Sequence, residues 1–131
     1  MRFRHVLMVP LLVGGCVSAS PGSGPTTEPL AHYRLDSSDK QAIQDGIKKV
    51  LKDPESARFG PLVAGKDPKG LIFVCGTINA RNSFGGYVGD RVFIGGLMKV
   101  GSARVFRPLG GFSTSIDQTV NVRSCKEYGL I

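Results

Sequence analysis

Tryptophan is absent from this chain of 131 residues, histidine occurs twice and cysteine three times. His5 falls in an apolar leader, so His32 alone is left to serve any site of the finished protein. A Ser-His-Asp triad, a His-Cys thiol pair or a zinc site with two histidines would have to be built on that residue. No apolar run reaches the roughly 20 residues that cross a bilayer, because charge or glycine interrupts each one. Basic blocks are missing too: Arg81, Arg91, Arg104, Arg107 and Arg123 stand singly, which argues against a nucleic-acid partner. What is present is a globular composition, 41% apolar and 21% charged with 18 glycines and 8 prolines. The length suits one small core and would starve two.

Residues 1–15 carry Arg2 and Arg4, then an apolar run from Val6 to Val13, then small residues. That order is the layout of a secretory signal peptide, so export is expected. Its end, Val13-Gly14-Gly15-Cys16, resembles the lipobox of bacterial lipoproteins, with Val13 where leucine is usual. The resemblance implies a bacterial cell envelope, cleavage before Cys16 and diacylation of that cysteine. Two acyl chains, at about 0.8 kcal/mol per buried methylene, hold a protein on a membrane stably. The expected location is periplasm-facing or on the outer membrane. Cleavage after Val17-Ser18-Ala19 is the alternative, and it would release a soluble periplasmic protein.

Both routes leave Cys75 and Cys125 as the only thiols. They form no Cys-x-x-Cys redox pair, and with a distant His32 they make a poor metal site. In an oxidising compartment they are expected to form one structural disulfide. No metal or other cofactor is expected. Removing Arg2 and Arg4 with the leader leaves 15 basic residues against 10 acidic ones, a balance suited to solubility and to anionic envelope surfaces.

Residues 16–36, rich in Pro, Gly and Ser, read as a flexible tether that includes His32. From residue 37 to 131 the pattern is that of a single α+β domain. Ile43, Ile47, Val50 and Leu51 recur at helical spacing, with Ser38 and Gln41 as a capping box and Gly46 as a point of close packing. Asp53-Pro54-Glu55 starts one further helical turn. Strands are predicted at 61–64, 71–80, 91–99 and 103–106, the second apolar on both faces and therefore central. Gly95-Gly96 predicts a bulge or a close backbone approach. A C-terminal helix is predicted from a second capping box, Ser115 and Gln118, with Ile116, Val120 and Ser124 lining one face and Gly129 ending it. The expected architecture is a small antiparallel sheet of three or four strands packed with an N-terminal and a C-terminal helix.

The least average segment is Asn79-Ala80-Arg81-Asn82-Ser83-Phe84-Gly85-Gly86-Tyr87-Val88-Gly89. With Lys52-Asp53-Pro54-Glu55-Ser56-Ala57-Arg58-Phe59, Val74-Cys75-Gly76 and a C-terminal cysteine, it resembles a family of small exported proteobacterial proteins and lipoproteins carrying KDPxSAxF and VCGxxNAxNxFGGYxG motifs. The resemblance implies an exported α+β domain and brings no reaction with it. Read physically, Asn79 and Asn82 hold a turn, and Gly85-Gly86 allow left-handed backbone. Arg81, Asn82, Ser83, Phe84 and Tyr87 are then the candidate binding loop for an envelope protein or glycan. Ser83 lacks a nucleophile elbow and a base, so the expectation is a structural or interaction module and not an enzyme. The alternative function is a soluble periplasmic binding module or inhibitor docking through the same loop. Replacing Cys16→Ser is expected to abolish incorporation of labelled palmitate, and an unlabelled wild-type protein would refute the anchor.

Overall fold

A computed structural model describes residues 29–131. The expected signal peptide, Cys16 and the expected tether up to residue 28 lie outside the described residues. In chain order the elements are β1 (Ala31–Tyr33), α1 (Ser37–Lys48), a 3₁₀ turn (Pro54–Ser56), β2 (Arg58–Lys66), β3 (Ile72–Asn79), β4 (Arg91–Val100), β5 (Ala103–Pro108) and α2 (Ser115–Glu127). The strands form one antiparallel sheet in the order β1-β2-β3-β4-β5. The fold is α+β with two helices, as expected, but the sheet has five strands and not three or four.

The additional strand is β1, whose Ala31, His32 and Tyr33 pair with Lys66, Gly65 and Ala64. The predicted tether therefore ends before residue 31, and His32 stands exposed in an edge strand. Three residues with two exposed side chains present no alternation from which a strand could be read. β2 is also longer than its predicted core at 61–64. Its register breaks between Phe59 and Leu62, where proline removes a ladder donor. Gly95 and Gly96 form no bulge: they pair in unbroken register with Val74 and Phe73.

β3 is buried on both sides, which is why its sequence is apolar at nearly every position. Ile72, Val74 and Ile78 face a core shared with Ile43 and Ile47 of α1 and with Phe93, Leu97, Phe106 and Phe112. Cys75 faces the other way, into a smaller cluster with Ile94, Cys125 and Leu130. Close approach in the larger core depends on two glycines flanking one aromatic ring. A methyl group on Gly46 of α1 would sit 2.5 Å from the Phe106 carbonyl oxygen, and one on Gly95 of β4 would overlap the Phe106 ring. Phe106 meets Phe93 edge-on, with ring centroids 5.9 Å apart.

Both helices start one box earlier than predicted. Asp36 caps α1: its carboxylate accepts from the Asp39 amide at 2.8 Å while Asp39 accepts from the Asp36 amide at 3.2 Å. Thr114 and Asp117 do the same for α2. In each box aspartate replaces the longer Glu or Gln of the usual pattern, and the Ser-x-x-Gln spacings drew attention away from it. The amide donors hold the Asp36 and Asp117 carboxyls below the usual aspartate range.

The mostly apolar face of α2 that holds Ile116 and Val120 is not the one it buries. Ile116 and Val120 are 74% and 53% exposed, whereas Asn121 and Cys125 are buried. The reason lies in β4. Strand β5 pairs only from Gly95 onward, which leaves the backbone of Val92 without a neighbouring strand on that side. Gln118 accepts from the Val92 amide at 2.7 Å and donates to its carbonyl at 3.1 Å, and Asn121 donates to the same carbonyl at 2.9 Å. Helix α2 docks by supplying side-chain amides where a strand would have been.

Cys75 in β3 and Cys125 in α2 form the expected disulfide, with sulfurs 2.04 Å apart and a sequence separation of 50. It clamps α2 to the central strand. Replacing Cys75→Ala and Cys125→Ala together is expected to lower unfolding free energy by about 4 kcal/mol through loop-closure entropy. Urea denaturation without reductant checks this, and a loss below about 1 kcal/mol would mean the clamp adds little to the packed interface.

Candidate functional site

The register of the strands gives the sheet two distinct ends. Ala31 pairs with Lys66, which pairs with Ile72, so the chain enters the sheet at the end closed by the turn between β2 and β3. Leu30 is held there too, its amide donating to the Tyr128 carbonyl. At the opposite end Arg58 pairs with Asn79 and Ile78 with Arg91. The segment 80–90 that carries the candidate binding loop closes this end. Eight residues of β3 at about 3.3 Å each separate the two ends by about 25 Å.

The loop is a small bridged hairpin built on one side chain. The Asn82 carbonyl oxygen accepts from the amides of Phe84 at 2.9 Å and Gly86 at 3.2 Å. The Asn82 amide donates to the Gly86 carbonyl, the Gly85 amide donates back to Asn82, and Arg81 bridges Tyr87 across the base. Gly85 has φ +82, a left-handed conformation that a side chain would penalise. Asn79 closes the far end by accepting from the Gly89 amide at 3.1 Å.

Ser56, at the end of the 3₁₀ turn and 5% exposed, fastens this hairpin to the body. Its hydroxyl donates to the Asp53 carbonyl at 2.7 Å and accepts from the Arg81 amide at 2.8 Å. Its carbonyl accepts from the Tyr87 hydroxyl at 3.1 Å. Arg81 Nε lies 3.0 Å from the Asp53 carboxylate, and the Arg58 guanidinium covers the Tyr87 ring at 4.1 Å. The pair is half-exposed, so it positions Arg81 more than it stabilises the fold.

Of the five predicted loop residues, three are therefore occupied in construction: Arg81 with Asp53, Asn82 with its own hairpin, and Tyr87 with Ser56. Ser83 lines a cleft beside the loop. Phe84 is 97% exposed and projects from the tip. Sequence reasoning did not assign roles here to Ser56, Asp53 or Arg58, although it grouped their segment with the loop. The usable signal was a serine and an aspartate next to a proline turn, which could have been read as an anchor for a distant segment.

The cleft has a volume of about 320 Å³. Ile78, Ala80 and Phe112 are its buried floor. Val50 and Leu51 wall it from the end of α1 and Val88 from the loop, and Lys52, Arg81 and Arg91 stand on its rim. Of the predicted binding residues Arg81, Asn82 and Ser83 line this cleft; the other lining residues were not candidates, because the lining comes from four separate stretches of chain. Among the described residues no three His, Cys, Asp or Glu side chains gather as a metal site would require, and no helix is long and apolar enough to cross a membrane. Cys16 lies outside the described residues.

Compared with protein-family models, curated proteins and solved structures, the chain matches none. Replacing Asn82→Ala is expected to leave the melting transition within a few degrees of wild type while speeding hydrogen exchange at the Phe84 and Gly86 amides. Unchanged exchange there would show that the glycines alone hold the hairpin.

Proposed function

We propose that the protein is a lipid-anchored interaction module of the bacterial cell envelope that docks another envelope protein through Phe84 at the tip of the loop. The observation that supports this is a contrast in exposure. Arg81, Asn82 and Tyr87 are all tied down, so the hairpin is held in one conformation, yet it carries a phenylalanine that is 97% exposed. Aromatic side chains are frequent anchors in protein interfaces, and on a backbone already held in place only the two side-chain torsions remain to be fixed when the ring is buried. A chain of this composition gains nothing for its own stability from leaving that ring in water.

The anchor part of the reading rests on the lipobox and on the resemblance to exported proteins. It gives the two ends of the sheet different tasks. The described chain begins at the end that holds Leu30 and Ala31, and the loop lies at the other, free to meet a partner. No catalytic step belongs to this role.

The test is a photo-crosslinking residue placed at position 84 in intact cells, with the same residue at Ile116 as control. A discrete crosslinked protein from position 84 that is absent from position 116 is the expected result. Competition by wild-type protein should remove it, and Phe84→Asp protein should not. Equal products from both positions, or a glycan-linked product alone, would overturn the reading.

A further inference from the structure

We propose that the cleft beside the loop binds a small amphiphile made of one aliphatic chain and a carboxylate head. The floor is apolar and buried: Ile78, Ala80 and Phe112 are each less than 10% exposed. The rim is cationic. Arg81 is already paired with Asp53, but Lys52 and Arg91 have no carboxylate within ion-pair distance among the described residues. An apolar bottom under two uncompensated cations is complementary to a molecule that is apolar at one end and anionic at the other.

Size and backbone chemistry narrow the class. At about 30 Å³ for a water-sized group, a cleft of about 320 Å³ holds about ten non-hydrogen atoms. That is a medium-chain carboxylate and not a folded partner or a two-chain lipid. An extended peptide would want free backbone groups to pair with, and the neighbouring ones are spent. The Arg81 amide is taken by Ser56, the Asn82 amide by Gly86, and the Val92 amide and carbonyl by Gln118 and Asn121. Recognition is left to apolar contact and to side-chain charge. With room for about ten atoms, the cleft suits a single-chain free acid and not a two-chain membrane lipid.

This inference does not rest on the docking role of Phe84 or on the anchor, so either can fail without the other. The experiment is a titration of the full chain, carrying Cys16→Ser to keep acyl chains off, with decanoate under amide-detected NMR. Saturable one-to-one binding is expected, with shifts centred on Ile78, Ala80, Val88 and Phe112. Shortening the chain by two methylenes should weaken binding about tenfold. The double variant Lys52→Gln with Arg91→Gln should weaken it by about tenfold or more at an unchanged melting temperature. If that variant does not fold, Val88→Glu, which places a negative charge on an exposed wall residue, should weaken binding to a similar extent. Decyltrimethylammonium binding as well as decanoate would overturn the proposal. So would shifts centred on Ile116 and Val120, the absence of saturation, or binding of an acidic peptide in place of decanoate.

Discussion

The two-sided burial of β3 is the constraint on which the rest of the structure depends. Its alternate residues send Ile72, Val74 and Ile78 toward α1 and Cys75 toward α2, so a single strand of eight residues is the common wall of both cores. Helix α1 lies chiefly over β5 and α2 over β4, and β3 supplies the buried side chains that complete each cluster. A chain this short buries a modest share of its surface, and the covalent link from Cys75 to Cys125 supports the smaller of the two clusters, the one least able to hold a helix by apolar contact alone.

Polar groups complete what the apolar layers leave open. The Asp39 carboxylate is fully buried and gathers three elements: Tyr33 of β1 donates to it at 3.1 Å, the cap of α1 is built on it, and Arg104 of β5 lies 3.0 Å from its other oxygen. No in-line hydrogen bond reaches that second oxygen, so the Arg104 contact is chiefly ionic. Burial and the adjacent carboxylate push the Tyr33 hydroxyl above the ordinary tyrosine range. In a flat sheet β1 and β5 would be four spacings, or about 19 Å, apart, beyond the reach of these side chains. That Arg104 also donates to Tyr33 at 3.3 Å means the sheet curls around the start of α1 and draws its two edges together. A buried carboxylate is costly unless compensated, and here the compensation specifies the curvature.

The same economy shapes the end that carries the loop. The end of α1, the 3₁₀ turn, the ends of β3 and β4 and the approach to α2 all converge there. Most of their polar groups are consumed in holding one another, as Ser56 does for Arg81 and Tyr87. What is left unsatisfied is therefore conspicuous: the Phe84 ring in solvent, and the cations Lys52 and Arg91 above an apolar floor. Both lie at the end of the sheet opposite the point where the chain enters it.

Local chemistry was enough to read several features from the amino-acid order. The near-continuous apolar run of residues 71–80 marked a strand covered on both faces, and the pairing of Cys75 with Cys125 followed from the absence of any other thiol in the chain after Cys16. Gly46 announced close packing, the Asp53-Pro54 pair its short turn, and the Asn and Gly residues of 79–89 a built loop. These depend on neighbours within a few positions, or on counting. Other features depend on partners far along the chain, and only the tertiary structure decided them. β1 has too few residues to show a period and exists because β2 offers an edge. Helix α2 turns Asn121 and Gln118 inward, leaving Ile116 and Val120 in water, because the Val92 backbone needs hydrogen bonds more than the helix needs apolar cover. The cleft belongs to the same kind. Lys52, Ile78, Arg91 and Phe112 carry no local sign that they will meet, since only the pairing of β3 with β4 and the docking of both helices bring them to one end of the sheet.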